Sequence, residues 1–164
     1  MSLKRFLFLF LIAAGVTWAL RALIFEGIYI ASASMEPTLS VGAHLFLDKI
    51  TYLWREPRRG EIVVFAAPVK DQEEMVKRII ALGGDKIEIK EKAVYLNEAR
   101  QLEAYVQHTR KDEKLRGDSL GPFVVPQNHV FVLGDNRDES NDSSVWPSPF
   151  VPASSIRGKL RGIY

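Results

Sequence analysis

Residues 74–90, Glu-Met-Val-Lys-Arg-Ile-Ile-Ala-Leu-Gly-Gly-Asp-Lys-Ile-Glu-Ile-Lys, contain two apolar runs on either side of a glycine pair. The second run, 86–90, alternates strictly between polar and apolar residues, which is the pattern of a half-exposed β-strand. Gly83-Gly84-Asp85 has the residue types of a tight turn. The stretch therefore predicts two strands, over 74–82 and 86–90, that are separated by a turn.

Short apolar runs punctuated by Gly, Pro and Asp continue on both sides of this stretch, at intervals that suit strands. Further strands are predicted at 41–48, 61–67, 93–96, 129–133 and 155–160. Residues 97–121 are polar, charged and poorly periodic, which predicts an excursion or loop. The expected fold is mainly β, a compact antiparallel β-sheet or barrel-like domain over residues 26–164.

An apolar segment stands near the N-terminus. Residues 6–20 are all apolar or glycine except for one threonine, and a single arginine separates them from four more apolar residues. A helix of about 20 residues spans roughly 30 Å, the thickness of the hydrocarbon core of a bilayer. We therefore predict one N-terminal transmembrane helix, a membrane anchor over residues 1–25, and the basic residues at 4 and 5 predict a cytoplasmic N-terminus. A cleavable signal peptide, cut after 31–33, is the alternative.

Composition excludes several kinds of protein. The chain has 164 residues, 47% hydrophobic and 26% charged, which suits one ordinary domain with a buried core. It has no cysteine, so disulfides, cysteine-bound zinc, iron–sulfur clusters and a thiol nucleophile are excluded. Beyond the N-terminal segment basic and acidic residues nearly balance, and no local excess would neutralise phosphates. Nucleic acid is not expected as a partner.

Three segments combine polar residues with tight turns in apolar surroundings, and the first of them lies at 30–39. Ser32 and Ser34 flank one small residue, and Pro37 imposes a turn soon afterwards. A hydroxyl on such a turn can be exposed while nearby backbone N–H groups converge on a developing oxyanion. Serines in loops also serve as caps or solvated turns, so this segment alone leaves both interpretations open.

The second segment is the predicted strand over 74–82, which carries Lys77 and Arg78. Adjacent residues of a strand face opposite sides, so one of the two points toward the interior. If Lys77 points inward, burial disfavours its charged form and lowers the pKa of its amine, which makes it a general base. If it points outward, it is an ordinary solvated lysine.

The third segment, 131–143, places four acids, an arginine and two serines behind a strand. A calcium loop is one interpretation, but the segment lacks the sixth-position glycine and the twelfth-position glutamate of an EF-hand. No metal and no cofactor is therefore expected. His44, His108 and His129 show no ligand spacing and are interpreted as structural or surface residues.

Together these segments resemble the bacterial type I signal peptidases, which are membrane-anchored Ser/Lys endopeptidases. The resemblance covers most of the chain and follows its order. Besides the apolar N-terminal segment it rests on four boxes: Ser-x-Ser-Met-x-Pro-Thr-Leu at 32–39, Arg-Gly-Glu-Ile-Val-Val-Phe at 59–65, Lys-Arg at 77–78 running to Gly-Asp at 84–85, and Gly-Asp-Asn-Arg-Asp-x-Ser at 134–140.

The resemblance implies a serine endopeptidase that removes signal peptides from exported preproteins at the outer face of the cytoplasmic membrane. It implies that Ser34 is the nucleophile, that Lys77 is its general base, and that the Ser32 side chain and the Ser34 backbone N–H form the oxyanion hole. Supporting roles are implied for four more residues: Ser140, which would hydrogen-bond and orient Lys77, and Arg78, which would brace the site with Asp135 or Asp142.

The expected partners are the lipid bilayer and preproteins with small residues, typically alanine, at the first and third positions before the cut. Three single residues and one segment depart from the family pattern: Ala33 replaces a glycine, Gly83 a proline, Ser144 an arginine, and 146–152 is richer in proline than the usual Trp-Gly-containing ending. They leave open a specialised processing peptidase that matures one secreted or conjugation-related protein. Two further hypotheses are a self-cleaving repressor, which would need a DNA-binding domain or a cleavable linker, and a non-catalytic membrane-tethered binding module.

Overall fold

The computed structural model describes residues 3–68 and 73–162, without the side chains of 19–23 and 25. The predicted anchor (1–25) therefore lacks its first two residues here, and the predicted β domain (26–164) lacks its last two, because 1–2 and 163–164 lie outside the described residues. Within them the chain is mainly β, with a long helix α1 (Leu3–Ile24) and a one-turn helix α2 (Thr51–Trp54). The strands are β1 (Phe25–Tyr29), β2 (His44–Asp48), β3 (Ile62–Ala66), β4 (Glu74–Leu82), β5 (Lys86–Lys90), β6 (Ala93–Leu96), β7 (Ala99–Arg100), β8 (Leu120–Val124), β9 (His129–Leu133), β10 (Val151–Pro152) and β11 (Ile156–Arg161).

The strands form two antiparallel sheets. Seven of them pair in the order β1-β2-β11-β3-β4-β9-β10, and four pair in the order β7-β6-β5-β8. Four predicted strands coincide with β4, β5, β6 and β9, and three others match β2, β3 and β11 apart from their ends. The mainly β, antiparallel prediction is therefore confirmed, whereas β1, β7, β8 and β10 were not predicted as strands.

The turn at 83–85 carries the chain from one sheet to the other, because β4 pairs with β3 and β9 while β5 pairs with β6 and β8. The buried Asp85 carboxylate holds the turn by accepting hydrogen bonds from Leu82 N (2.8 Å) and Arg59 Nε (2.9 Å). Gly84 has a φ of +90°, a conformation that favours glycine. A local turn signal thus marks the junction between the sheets.

Three clusters of buried apolar side chains form the core. One fills the space beneath the smaller sheet, and the other two lie against opposite faces of the larger sheet, since alternate β3 residues divide between them. β3 contributes Ile62 and Val64 to one cluster, and Val63 and Phe65 to the other. A strand buried on both faces explains the continuous apolar run of this segment. Lys77, in the neighbouring strand β4, pairs with Val63 and is buried like it.

The N-terminal helix runs from Leu3 to Ile24 and leads directly into β1. The Lys49 backbone N–H donates to the Ile24 carbonyl (3.1 Å), which joins the end of the helix to the loop after β2. Within the described part of the chain, no helix combines the length and the hydrophobicity that crossing a membrane requires. The helix predicted for this segment is present, but its membrane span is not confirmed.

Leu47→Ala tests the importance of the core. Leu47 is fully buried, and its truncation is expected to lower the free energy of unfolding by about 2–5 kcal/mol, because a cavity adds to the lost burial. Leu102→Ala is the matched control, because Leu102 is 96% exposed, and it should change stability by less than about 0.5 kcal/mol. Urea unfolding followed by circular dichroism measures both. Equal effects of the two substitutions would contradict the assignment of this core.

Candidate active site

Ser34 lies in a short 3-10 turn, Ala33–Met35, that follows β1. The turn is held from below by Met35, which is 1% exposed, and Ser34 is itself buried. The Ser34 carbonyl accepts a hydrogen bond from the Asn136 backbone N–H (3.1 Å), and Asn136 Nδ2 donates to the Ala33 carbonyl (3.2 Å). Two bonds from a distant loop therefore fix the backbone that carries the Ser34 hydroxyl.

Lys77 points into the interior from the middle of β4, and Arg78 points to the opposite side. The Lys77 side chain ends at the 3-10 turn, where its Nζ donates to Ser34 Oγ over 2.7 Å. Both residues are buried, Lys77 to 4% exposure and Ser34 to 6%. An amine and a hydroxyl that are 43 residues apart in sequence thus form a direct contact with little access to water.

Burial lowers the pKa of Lys77 to about 8, well below the ordinary range of a lysine amine. Desolvation is the dominant cause, while the carboxylates of Asp142 and Asp135 act in the opposite direction. A substantial fraction of the amine is therefore neutral near pH 8. A neutral amine can accept the Ser34 proton, which the ammonium cannot do.

Ser32 lies beside this pair, with its Oγ 3.2 Å from Ser34 Oγ. Both serines open onto a cleft of about 430 Å³ between the segment after β1 and the first half of β4. The cleft is lined by Tyr29, Ile30, Ala31, Met35, Glu73, Glu74, Met75, Val76, Lys77, Glu139 and Asn141 in addition to the two serines. The side-chain hydroxyl of Ser32 is placed where it could serve an oxyanion formed at a carbonyl under attack by Ser34.

Arg78 and Asp135 form a buried ion pair next to Lys77. Arg78 donates from Nε to Asp135 Oδ1 (2.8 Å) and from Nη2 to Asp135 Oδ2 (2.6 Å). The Thr38 hydroxyl donates to the same carboxylate, and Arg78 also donates to the Gly60 carbonyl (2.9 Å). The sequence left two acids, Asp135 and Asp142, as possible partners of Arg78. In the structure Arg78 pairs with Asp135.

Asp142 has a different set of partners, although it lies in the same loop and is 1% exposed. Its carboxylate accepts the Gly134 backbone N–H (2.9 Å), the Ser144 backbone N–H (2.9 Å) and the Ser144 hydroxyl (2.7 Å). Ser144, which departs from the family pattern, therefore bonds the acid through its hydroxyl. Gly134 is needed for close approach, because a Cβ there would collide with the Ser34 carbonyl.

Ser140 does not form the hydrogen bond to Lys77 that the resemblance implied. Its Oγ is buried, and within the described residues it has no hydrogen-bond partner. The hydroxyl lies against Gly134 and also lines a small cavity of about 220 Å³ behind the site. Lys77 Nζ instead uses its short bond to Ser34, so the expected bond to Ser140 is corrected for this conformation.

Sequence reasoning missed two residues of the site. Asn136 holds the Ser34 turn, and Tyr105 lies with its ring centroid 4.0 Å from Arg78 Cζ. Asn136 stands inside a recognised box, which was a usable signal, whereas Tyr105 lies in the segment predicted only as an excursion. In the part of the chain that the structure describes, no group of three or more His, Cys, Asp or Glu side chains could hold a metal ion.

Comparisons with known proteins identify the family of this chain. The family described as "Signal peptidase, peptidase S26" matches residues 3–164. A "Probable signal peptidase I-2" of Synechocystis sp. is 39% identical over 145 residues, which cover 85% of this chain and 63% of the relative. A "Signal peptidase I" of Bacillus licheniformis is 38% identical over 138 residues, which cover 81% of this chain and 73% of the relative.

The crystal structure of a signal peptidase I from Enterococcus faecalis is similar as well. It matches with a TM-score of 0.54 and 28% sequence identity, over 65% of this chain and 98% of that chain. The family match spans nearly the whole sequence, and both sequence relatives exceed 30% identity. The chain therefore belongs to the signal peptidase family of peptidases, peptidase S26.

Proposed function

We propose that this chain is a serine endopeptidase that removes signal peptides from exported preproteins, and that Ser34 and Lys77 form its catalytic dyad. The observation that carries the proposal is the 2.7 Å contact between two buried groups, Lys77 Nζ and Ser34 Oγ. A serine hydroxyl is a poor nucleophile until a neighbour takes its proton, and a neutral amine at this distance is placed to do so. Family membership supports the same chemistry.

The reaction follows from these positions. The neutral Lys77 amine accepts the Ser34 proton as Oγ attacks the scissile carbonyl, and the Ser34 backbone N–H and Ser32 Oγ donate to the resulting oxyanion. The Lys77 ammonium then returns its proton to the leaving amine, and an acyl-enzyme remains on Ser34. A water molecule, deprotonated by Lys77, hydrolyses the ester and regenerates the dyad.

The substrate is proposed to bind as an extended strand along the first half of β4. β9 pairs with β4 only from Arg78 to Leu82, so among the described strands nothing pairs with residues 74–77 on that side. An extended peptide can add to such an edge, and the cleft beside it would then hold alternate side chains. Small residues at the first and third positions before the cut are the expected occupants.

A peptidase dedicated to one secreted or conjugation-related protein stays the second candidate. Glu73, Glu74 and Glu139 line the cleft of this chain and are charged groups that a substrate must accommodate. Digestion of a panel of preproteins separates the two functions, since cleavage of many supports general processing and cleavage of one supports a specialist.

We also propose that α1 anchors the chain in the cytoplasmic membrane, with the N-terminus inside and the catalytic body on the outer face. The apolar run over 6–20 supports an anchor, and two basic residues precede it. Phe6, Phe8 and Phe10 are each more than half exposed, and so large an exposed apolar surface requires a cover. Lipid would provide it.

Substitution of the dyad tests the proposed chemistry. Ser34→Ala and Lys77→Ala are each expected to abolish cleavage of a preprotein with an Ala-x-Ala site while the circular dichroism spectrum stays unchanged. In the same series Ser32→Ala should lower kcat about 10²-fold, because one oxyanion donor is lost. Ser119→Ala and Lys90→Ala change exposed residues of the same types and serve as controls. Near-normal cleavage by Lys77→Ala would show that Lys77 is not the general base. Near-normal cleavage by Ser34→Ala would show that Ser34 is not the nucleophile.

The pH dependence of cleavage tests the state of the base. Below the Lys77 pKa of about 8 the amine is charged and cannot take the Ser34 proton, so kcat/KM should fall about tenfold per pH unit at low pH. As pH rises through this pKa the neutral form accumulates, and kcat/KM should reach a plateau above pH of about 9. His129→Gln should leave the profile unchanged. A profile that is flat between about pH 6 and 9 would contradict a lysine base.

The absence of native cysteine allows a clean test of topology. Single-cysteine variants Ser2→Cys and Ser119→Cys are expressed as full chains and labelled in spheroplasts with a membrane-impermeant maleimide. Ser119→Cys, on the catalytic body, is expected to react in intact spheroplasts, and Ser2→Cys only after lysis. The opposite pattern would reverse the orientation, and release of the chain by alkaline carbonate would reject the anchor.

A further inference from the structure

Residues 103–110 pass across the loop that carries Asp135 and Asn136, and we call them the brace segment. They belong to the polar stretch 97–121, to which the sequence assigned no role. The segment contacts this loop through its backbone and through two ion pairs, Glu103–Arg137 and Arg110–Glu139. Its Tyr105 ring contacts Arg78, the partner of Asp135. The backbone contact leads through Asn136 to Ser34, and the ring contact leads to Arg78, the neighbour of Lys77 in β4.

The backbone contact is a short parallel bridge between Gln107 and Asn136. The Gln107 N–H donates to the Asp135 carbonyl (2.8 Å), and the Arg137 N–H donates to the Gln107 carbonyl (3.0 Å). Asn136 is therefore held on one side by the brace segment while its own N–H donates to the Ser34 carbonyl (3.1 Å) on the other. One residue separates the brace from the backbone of the nucleophile.

The ring contact is made by Tyr105, which covers the guanidinium of Arg78 at 4.0 Å from its centroid. Arg78 uses two of its nitrogens on Asp135, and its side chain is only 12% exposed. A ring that excludes water strengthens both its own cation–π contact and the ion pair beneath it. Lys77 adjoins Arg78 in β4, so a shift of Arg78 would be passed to the base.

Tyr105 is itself held in place. Burial raises the pKa of its hydroxyl, which stays protonated and donates to Glu103 Oε1 (2.9 Å). Glu103 also accepts from Arg137 Nη2 (2.6 Å), in an ion pair whose side chains are 10% and 9% exposed. The ring thus has a fixed position relative to the 134–140 loop, which a freely rotating surface tyrosine would lack.

Farther along, the brace segment is tied to Asp138. The Arg110 backbone N–H donates to its carboxylate (2.8 Å), His108 Nδ1 lies 3.1 Å from it, and Lys92 Nζ donates to it (3.1 Å) from the smaller sheet. Both ends of the 3-10 turn at 137–139 are attached to the same segment, Arg137 through Glu103 and Glu139 through Arg110 (3.2 Å). These contacts fix the path of the chain on both sides of Tyr105.

We propose that Tyr105 is a positioning residue for the Ser34–Lys77 dyad, acting through the Arg78–Asp135 ion pair that its ring covers. The inference rests on the proposed function of that dyad and adds a role for the brace segment. Displacement of reacting groups by about 1 Å can cost up to about 10²-fold in rate, so a residue with no contact to substrate can control kcat. Such a residue should affect kcat and leave KM nearly unchanged.

The test compares three full-chain variants on one preprotein substrate. Tyr105→Leu, which removes the ring, is expected to lower kcat about 10–100-fold with KM within about threefold of the wild type. Tyr105→Phe keeps the ring without the hydroxyl and should restore kcat to within about threefold. Tyr95→Leu is the matched control, because Tyr95 makes a similar contact with Lys90 (5.4 Å) on the smaller sheet, away from the dyad.

Rates are normalised to active sites titrated by an acylating inhibitor, so that a partly unfolded Tyr105→Leu sample still reports the kcat of its folded molecules. An unchanged kcat in Tyr105→Leu overturns the inference, and so does a loss of the same size in Tyr105→Phe or Tyr95→Leu. An effect on KM alone would assign Tyr105 to substrate binding and also overturn it. Failure of the wild-type chain to cleave would instead refute the proposed function.

Discussion

The contact between Lys77 Nζ and Ser34 Oγ is the central interaction of this structure. The amine can take a proton from the hydroxyl only when it is neutral, and it is neutral near pH 8 only because water is excluded from it. In water a lysine amine is almost wholly charged at neutral pH. Burial lowers the pKa of Lys77 to about 8, and this burial comes from the interior place of β4 in the seven-stranded sheet and from the turn that carries Ser34. The fold thus supports the site by keeping one amine dry.

Two buried carboxylates work against that burial, since Asp142 and Asp135 both raise the pKa of Lys77. Each has its own partners: Asp135 accepts two hydrogen bonds from Arg78, and Asp142 accepts backbone N–H groups from its own loop. These partners partly neutralise the two carboxylates, which weakens their effect on the pKa of Lys77. The loop from 134 to 142 consequently has two effects, because it fixes the Ser34 backbone and its two acids raise the pKa of Lys77.

Much of the fold was predictable because β4, β5, β6 and β9 carry their signal locally, as alternation or as a continuous apolar run. β8 was not, since Gly121 and Pro122 in its middle are residues that usually end strands, and it forms by pairing with β5. β1 begins on the last residue of the N-terminal apolar run, and Glu26 and Gly27 interrupt its pattern, so the segment carries no local strand signal. In both strands, partners distant in sequence supply the hydrogen bonds that the local pattern does not announce.

The sequence by itself determined the class of fold, the family and the residue types of the site, because four ordered boxes and a set of strand patterns are local features of the chain. The tertiary structure alone decided that Lys77 faces inward, that Arg78 takes Asp135 as its partner, that Ser140 does not bond Lys77 in this conformation, and that Tyr105 covers Arg78. The physical reason is that side-chain direction depends on which face of a sheet is covered. Ion pairs and ring contacts join residues that are far apart in sequence, and no local pattern of residues predicts which of them will meet.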